Sequence, residues 1–145
     1  MKSTATDVFT SALDVVNDGG SDSQGLVEMS RIGNFSGQFW QIVPNGAGTY
    51  ALRTLFLGAS RQLDVYPSDR LKPLLASAGP YSGQIWKIAP WGDGTWHLEN
   101  LYSGNDLYLD TMEGGPRVAL NQANIGRPTQ RWSITPVRAI TEAGF

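Results

Sequence analysis

The stretch QFWQIVP at residues 38–44 decides the fold, because its pattern Gln-x-Trp-x-Ile-x-Pro occurs three times in the chain. The other two copies are QIWKIAP at residues 84–90 and QRWSITP at residues 130–136, and each copy lies 46 residues after the one before it. A pattern that holds over seven positions at a constant spacing is an internal repeat. The three copies of this unit must therefore share one hydrophobic core.

A Leu-Asp dipeptide recurs with the repeat and confirms its register. It stands at residues 13–14, 63–64 and 109–110. The Asp lies 26 residues before the Trp of its motif in the first repeat, compared with 22 residues in the other two. We therefore expect a four-residue insertion in the first repeat, within residues 17–22. The first repeat also begins with a polar segment, residues 2–6, that lacks the Tyr-x-Leu pattern found in the second.

Length and composition indicate a single domain. The chain has 145 residues, of which 41% are hydrophobic, and this suffices for one core. We expect repeats of about residues 1–48, 49–94 and 95–140, followed by a short tail at 141–145. The absence of cysteine excludes disulfides, thiolate catalysis and cysteine zinc sites, and it fits a reducing compartment. The net charge of −2 and the scattered basic residues argue against nucleic acid as a partner.

Hydropathy bears on localisation. No apolar run reaches the roughly 18 residues of a membrane span. The first six residues, MKSTAT, lack the apolar core of a signal peptide. We therefore expect a protein that does not insert into membranes and that is cytoplasmic or released without a classical signal peptide.

Turn residues divide each repeat into four strand-length segments. They are residues 49–57, 62–66, 73–76 and 84–88 in the second repeat, and residues 95–102, 107–111, 117–121 and 130–135 in the third. Apolar residues in these segments alternate with a period of two, and no 3.6-residue apolar period persists for ten residues. The sequence therefore predicts an all-β chain of about twelve strands.

Three repeats of four strands favour a closed barrel, because a β-propeller needs roughly four to eight blades to close its ring. Two strands of each repeat would form the barrel and the other two a hairpin that caps it, which is the β-trefoil. The triple Gln-x-Trp, the Leu-Asp-Val segment and the spacing of 46 residues resemble the ricin-type β-trefoil lectins, also called ricin-type carbohydrate-binding modules. The resemblance covers residues 9–140 and implies non-catalytic carbohydrate binding through up to three shallow sites, one per repeat.

The tryptophans of the three motifs, Trp40, Trp86 and Trp132, are expected to fill the floor of the barrel. Each is followed two residues later by Ile, and an indole buries a large apolar area. All three should be buried and related by three-fold symmetry. The glutamine of each motif should hydrogen-bond to backbone or to a neighbouring Asp, and so support a site more than touch a ligand. These glutamines are Gln38, Gln84 and Gln130.

A sugar site needs a fixed acceptor for hydroxyl groups, an aromatic face and an amide. The resemblance implies that the acceptor is the Asp of each Leu-Asp dipeptide: Asp14, Asp64 and Asp110. The alternative is that each Asp caps the turn after its strand. In the ricin-type pattern a stacking aromatic lies ten or eleven residues before the Trp, but this chain has other residues there. They are Ser30, Ala76 and Asn121, so a galactose pocket of the ricin type would lack its floor.

An aromatic residue in another loop offers a replacement. Phe35 and Tyr81 stand three residues before the Gln of their motifs, and we take Ile125 as their counterpart in the third repeat. Such an aromatic either forms a platform for sugar or packs onto its own hairpin. Amides on the same rims supply further hydroxyl-binding groups: Asn34, Asn121 and Asn124. We therefore expect sugar binding in the first and second repeats ahead of the third.

Catalysis is not expected. The single histidine, His97, alternates with the apolar Trp96 and Leu98, which predicts an outward-facing side chain. No second His, no Cys and no metal-ligand spacing accompany it, so we expect no enzyme activity, no cofactor and no metal. The partners should be glycans or glycoconjugates.

Two other functions stay open at this stage. One is a protein-binding trefoil, such as a protease inhibitor, that acts through an unrepeated exposed loop at residues 17–25 or 68–72. The other is a structural trefoil with decayed sites. Recurrence of the polar site residues in more than one repeat favours the sugar, because an inhibitor that uses one loop does not need them three times.

Overall fold

The computed structural model describes residues 2–3, 11–15, 25–111 and 117–135, and within them the chain is all-β as predicted. The strands are β1 (Lys2–Ser3), β2 (Ser11–Val15), β3 (Val27–Arg31), β4 (Trp40–Pro44), β5 (Tyr50–Thr54), β6 (Arg61–Tyr66), β7 (Asp69–Ser77), β8 (Trp86–Pro90), β9 (Trp96–Asn100), β10 (Gly104–Thr111), β11 (Val118–Gln122) and β12 (Trp132–Ser133). Short 3₁₀ helices precede β4, β8 and β12, and no helix in these ranges is long and apolar enough to cross a membrane. The predicted insertion at residues 17–22 and the tail at 141–145 lie outside the described residues.

Strand pairing divides each repeat in two. Two strands from each repeat pair edge to edge in the order β1-β12-β9-β8-β5-β4. The other two strands of each repeat form an antiparallel hairpin, namely β2–β3, β6–β7 or β10–β11. The polar N-terminal segment supplies β1, which pairs with β12 although it lacks the Tyr-x-Leu pattern. Ladder hydrogen bonds come from the backbone, so the segment joins the sheet without that pattern.

The core repeats with the sequence. The leucine of each Leu-Asp dipeptide is fully buried in the hairpin of its repeat. Its carbonyl oxygen accepts a hydrogen bond from the indole N–H of the Trp in the same repeat. The three bonds are Trp40 to Leu13 at 3.0 Å, Trp86 to Leu63 at 2.9 Å and Trp132 to Leu109 at 3.0 Å. Each hairpin is therefore fastened to its barrel strand by the same contact.

The three tryptophans are not equally buried. Trp86 and Trp132 are fully buried, as predicted, whereas Trp40 is only partly buried against the same core. Among the described strands β4 lies at the end of the pairing order, so fewer strands cover the indole of Trp40. Ile42 and Ile88 pack against this core and are partly buried. The three-fold register holds, and the prediction of full burial was wrong for Trp40 alone.

The Gln-x-Trp motif spans two kinds of structure. The sequence placed Gln84 and Gln130 at the start of strands, which was wrong. A 3₁₀ helix ends at each of these glutamines, and the strand begins at the Trp two residues later. A single 3₁₀ turn is a common connector between elements. Here it lets the glutamine reach the hairpin while the tryptophan reaches the core.

Candidate functional site

The first and second repeats hold an Asp and a Gln in the same arrangement. In the second repeat the Asp64 carboxylate accepts the Val65 backbone N–H at Oδ1 (2.7 Å) and the Gln84 side-chain amide at Oδ2 (3.2 Å). Gln84 is itself fixed, because its amide also donates to the Ser77 carbonyl (2.8 Å) and its Oε1 accepts the Gly79 N–H (3.0 Å). The predicted roles of Asp as acceptor and Gln as support are consistent with this geometry.

The first repeat reproduces these bonds closely. Asp14 accepts the Val15 N–H at Oδ1 (2.8 Å) and the Gln38 amide at Oδ2 (3.2 Å). Gln38 donates to the Arg31 carbonyl (2.8 Å) and accepts the Gly33 N–H (3.1 Å). Both aspartates are only partly buried. Among the described residues each carboxylate oxygen has one hydrogen-bond donor, which leaves lone pairs for the hydroxyl groups of a ligand.

Glycine at the residue before each of these glutamines makes room for the carboxylate. A Cβ added at Gly83 would lie 2.1 Å from Oδ1 of Asp64, and one added at Gly37 would lie 2.3 Å from Oδ1 of Asp14. Any other residue would force the carboxylate to move. The sequence analysis did not single out these glycines as site residues, although both stand in the motif Ser-Gly-Gln, and the close approach appears only in three dimensions.

The loop aromatics of the first and second repeats are exposed. Tyr81 is 58% exposed and Phe35 is 56% exposed, and each lies directly before the 3₁₀ helix of its repeat. Each ring rests on the backbone of a glycine two residues earlier, because a Cβ at Gly79 or Gly33 would come within 2.5 Å of ring carbons. Part of each ring therefore packs on its own loop and the rest faces solvent, while the role of a sugar platform stays a prediction. Asn34 is exposed in the same loop as Phe35.

The third repeat keeps the glutamine but buries the carboxylate. Asp110 has no exposed side-chain surface, and its Oδ2 accepts three hydrogen bonds. The donors are Asn121 Nδ2 (3.1 Å), Arg127 Nε (3.1 Å) and Gln130 Nε2 (3.2 Å). Gln130 is held as in the other repeats, by the Gln122 carbonyl (2.8 Å) and the Asn124 N–H (3.0 Å). Asp110 is thus an internal ion-pair partner and does not face the ligand side as predicted.

Arg127, and not Ile125, is the counterpart of the two loop aromatics. It lies directly before the 3₁₀ helix Pro128–Gln130, as Tyr81 lies before Ser82–Gln84. Its guanidinium forms the salt bridge to Asp110, and 29% of its side-chain surface is exposed. Ile125 is 72% exposed and lies two residues earlier. The prediction that Ile125 is the counterpart of Phe35 and Tyr81 was therefore wrong.

Two buried polar atoms near this ion pair have no hydrogen-bond partner among the described residues. They are Oδ1 of Asp110 and the hydroxyl oxygen of Thr129. Thr129 stands where the second repeat has Gly83, directly before the glutamine. A Cβ at that place conflicts with the carboxylate position seen in the second repeat. Thr129 and Arg127 together therefore account for the different setting of Asp110.

A cleft of about 300 Å³ lies on the third repeat. Asn121 and Asn124, both predicted as site residues, lie on its wall with Arg127. Asn121 pairs with Tyr108 across the β10–β11 hairpin, just as Ala76 pairs with Gln62 in the second repeat and Ser30 with Ala12 in the first. The cleft is thus at the rim that the sequence predicted. Its complete lining is Asn121, Gln122, Ala123, Asn124 and Arg127.

His97 does not point outward into solvent as predicted. Its side chain is 12% exposed, stacks on Tyr108 at 4.2 Å between ring centroids and meets the edge of Trp91 at 4.9 Å. Burial and the charge of Lys87 lower the pKa of His97. Burial also raises the pKa of Glu99, whose Oε1 lies 3.4 Å from His97 Nδ1. The alternation of residues along β9 did not predict this cluster, because the rings that cover His97 come from other segments.

Metal ligation has no support in the part of the chain that the structure describes. No three His, Cys, Asp or Glu side chains come together in these ranges.

Comparison with known proteins identifies the fold through structure. No family model and no curated protein matches the sequence. The designed three-fold symmetric protein ThreeFoil superposes with a TM-score of 0.73 at 26% identity, covering 88% of this chain and 91% of ThreeFoil. The chain is also similar to a structure described as the BEL β-trefoil, with a TM-score of 0.67 at 15% identity over 89% of this chain and 86% of the other. The fold is a β-trefoil.

Two larger proteins contain a similar β-trefoil. A mosquitocidal holotoxin gives a TM-score of 0.75 at 19% identity over 94% of this chain, which spans only 17% of the toxin. The GlcNAcα1-4Gal-releasing endo-β-galactosidase of Clostridium perfringens gives 0.71 at 15% identity over 91% of this chain, which spans 31% of the enzyme. These identities are low, so they establish the shared fold only.

Proposed function

We propose that this protein binds carbohydrate without modifying it, through shallow sites on the first and second repeats. The observation that carries the proposal is the recurrence of one constellation in both repeats: an Asp fixed by Gln, and an aromatic more than half exposed directly before the 3₁₀ helix that ends at that Gln. The carboxylate suits the hydroxyl groups of a sugar, and the ring suits its C–H face. A structural role alone does not require the ring to stay exposed.

The comparison with other β-trefoils is in keeping with this proposal. The endo-β-galactosidase that contains a similar domain acts on a glycan. The Gln-x-Trp repeats resemble those of ricin-type carbohydrate-binding modules, but the usual stacking position is occupied by Ser30 and Ala76. Phe35 and Tyr81 take over the stacking role in our proposal. The specificity should therefore differ from that of a ricin-type galactose site.

Catalysis is not part of the proposal. His97 lies against Tyr108 and Trp91, and its pKa is lowered by burial. Within the described residues no Ser or Cys nucleophile is hydrogen-bonded to His97.

Multivalent contact of two weak sites on one rigid body would supply avidity for a glycan surface.

The test is glycan-array screening followed by isothermal titration with the best neutral glycan. Asp64→Asn and Tyr81→Ala should each weaken binding about tenfold at the second site, which corresponds to about 1.4 kcal/mol. Asp14→Asn and Phe35→Ala should do the same at the first. The matched controls are Asp69→Asn and Tyr102→Ala, because both residues are exposed outside the constellation. Unchanged affinity in all four site variants would refute the proposal.

A protein partner is the second candidate. β7 is nine residues long, and its N-terminal part extends through residues 69–72, within one of the two exposed loops that the sequence offered for protein binding. This extension carries the exposed Leu71, at 44% exposure. Loss of a captured protein on Leu71→Ala, with no glycan bound on the array, would favour this candidate.

A further inference from the structure

The third repeat offers hydrogen-bond donors where the first and second repeats offer an acceptor. Asp110 has no exposed side-chain surface, and its Oδ2 already accepts three bonds. It is therefore unable to receive the hydroxyl groups of a ligand, unlike the partly exposed Asp64. None of the residues that line the third-repeat cleft is acidic.

Arg127 lines this cleft with a partly exposed side chain. Its Nε donates to Asp110 at 3.1 Å, which fixes the plane of the group. Nη1 and Nη2 donate to no other described residue, and the side chain is 29% exposed on the cleft wall. Two adjacent nitrogens with four N–H donors match the two oxygens of a planar carboxylate better than a single hydroxyl.

The side-chain amides that line the cleft with Arg127 offer a ligand more hydrogen-bond donors than acceptors. Asn124 is exposed, and its Oδ1 accepts the Gly126 N–H at 2.9 Å, which leaves its NH₂ group for a ligand. Asn121 is occupied at both ends, because its Nδ2 donates to Asp110 and its Oδ1 accepts the Gln122 N–H at 2.9 Å. Gln122 is exposed and supplies an amide at the edge of the cleft. The groups available to a ligand are mostly donors.

We infer that the third-repeat cleft binds a carboxylate-bearing sugar, with the carboxylate on the Nη1 and Nη2 atoms of Arg127 and a ring oxygen or hydroxyl on the Asn124 amide. This inference rests on the proposed function, because it takes the ligand to be a glycan. It assigns the third repeat an acidic sugar, while the first and second repeats take neutral ones. Asp110 is a positioning residue that holds the guanidinium.

Pairs of sugars that differ only at one carbon test the inference on the unaltered protein. Methyl β-glucuronide and methyl β-galacturonide carry a carboxylate where methyl β-glucoside and methyl β-galactoside carry a hydroxymethyl group. NMR titration should show at least one uronide binding about tenfold or more tightly than its neutral partner. The shifts should appear at Arg127 Nε–H and the Asn124 amide, and 0.5 M salt should weaken the binding. Equal affinity within both pairs would overturn the inference.

Variants of Arg127 distinguish recognition by the paired guanidinium nitrogens from recognition by a single positive charge. Arg127→Lys keeps the charge but loses the paired nitrogens, and it should weaken uronide binding about tenfold. Arg117→Gln is the matched control, because Arg117 is an exposed arginine of the same repeat outside the cleft lining, and it should leave binding unchanged. Retention of uronide affinity in Arg127→Lys would refute the placement of the carboxylate on the paired Nη1 and Nη2 atoms. Folding of each variant is checked by its amide spectrum.

Two further probes distinguish other anions from an acidic sugar. Acetate should bind at least tenfold more weakly than the uronide, and methyl β-galactoside 6-sulfate should bind no better than the uronide. Acetate as tight as the uronide, or a preference for the sulfate, would refute the assignment. Neutral glycan binding that depends on Asp64 without any uronide preference would sink this inference and leave the proposed function intact. Uronide binding without neutral-glycan binding at the first two repeats would refute the proposed function and leave the acidic-sugar site of the third repeat intact.

Discussion

The second and third repeats share one scaffold and differ at the rim. In both, the glutamine amide lies 3.2 Å from the aspartate and 2.8 Å from a strand carbonyl. Tyr81 and Gly83 of the second repeat are replaced by Arg127 and Thr129 in the third. These two replacements accompany the change from a partly exposed to a fully buried carboxylate. The glutamine and tryptophan therefore maintain the fold, while the residues three positions and one position before the glutamine determine the chemistry of the rim.

The contrast also extends to the neighbouring barrel strands. His97 and Tyr108 of the third repeat form an aromatic cluster with Trp91 from the end of the second repeat, whereas Gln62 occupies the Tyr108 position in the second repeat. Arg131 lies over the Trp91 ring at 4.6 Å and pairs with Asp93 at 2.7 Å. The third rim is thus braced by aromatic and ionic contacts, and the second is held mainly by the glutamine.

The largest difference between the two repeats should appear on removing their aspartates. Asp110→Ala leaves the guanidinium of Arg127 without its partner, and breaking a buried pair costs about 3–5 kcal/mol. Because Arg127 is partly exposed, we expect a loss of about 3 kcal/mol. Asp64→Ala removes ordinary hydrogen bonds and should cost about 1 kcal/mol. Urea unfolding followed by tryptophan fluorescence measures both, and equal losses would contradict the comparison.

A smaller effect is expected at the residue before the glutamine. Gly83→Ala places a methyl group where Oδ1 of Asp64 lies, so the carboxylate must move. We expect a loss of about 1–3 kcal/mol, as for other overpacked sites, and loss of binding at the second site. Thr129→Ala removes a hydroxyl that has no described partner, and it should be neutral or stabilising by up to about 1 kcal/mol. Thermal unfolding of the two variants should rank them in this order; the reverse ranking would disprove it.

Tyr81→Arg tests whether the loop position alone converts one rim into the other. The new cation would lie near Asp64 and compete with sugar hydroxyl groups for its oxygens. We expect neutral-glycan binding at the second site to fall about tenfold, while stability changes by less than about 1 kcal/mol because Tyr81 is mostly exposed. Calorimetric titration gives the affinity, with Tyr102→Arg as the control. Undiminished binding would show that Gly83 and not Tyr81 distinguishes the repeats.

The smallest effect concerns the pH dependence of the aromatic cluster. The folded-state pKa of His97 lies below its ordinary value of 6.5, so below that pH the unfolded chain takes up a proton that the folded protein resists. Stability from this group is therefore complete above pH 6.5 and falls as the pH decreases towards the folded pKa. His97→Gln should remove this fall in melting temperature. An unchanged pH profile in the variant would exclude His97 as its source.

The pKa of Glu99 is shifted in the opposite direction to that of His97, so a Glu99 variant provides a second test. Its folded-state pKa lies above the ordinary 4.5, so the folded protein keeps this proton longer than the unfolded chain. Its contribution to stability is present below pH 4.5 and is lost as the pH rises through the folded pKa. Glu99→Gln should therefore remove a loss of stability on the alkaline side of pH 4.5. The second repeat contains no histidine and therefore no His–Glu pair, so it should contribute no matching change in stability with pH.

Part of the candidate site could be predicted from the repeat. The positions of Asp64 and Gln84 recur at a fixed spacing, so a common interaction was inferable. The counterpart of Tyr81 in the third repeat is also given by spacing, because Arg127 lies three residues before Gln130 just as Tyr81 lies three residues before Gln84. The assignment to Ile125 departed from that spacing and was wrong, and the 3₁₀ helices confirm Arg127. The loop before Arg127 is one residue longer, since Gln130 bonds to the carbonyl eight residues before it, whereas Gln84 bonds to the one seven residues before it.

The sequence by itself determined the all-β class, the three repeats and the burial of Trp86 and Trp132 in the core. These follow from local alternation and from a repeated spacing, which do not depend on distant contacts. Only the tertiary structure decided that Asp110 is buried by Arg127, that Gly83 makes room for Asp64 and that His97 is covered by Trp91 and Tyr108. Each of these depends on side chains from separate turns and strands meeting at one rim. Alternation along a strand assigns a residue to a face, but the neighbouring elements determine what covers that face.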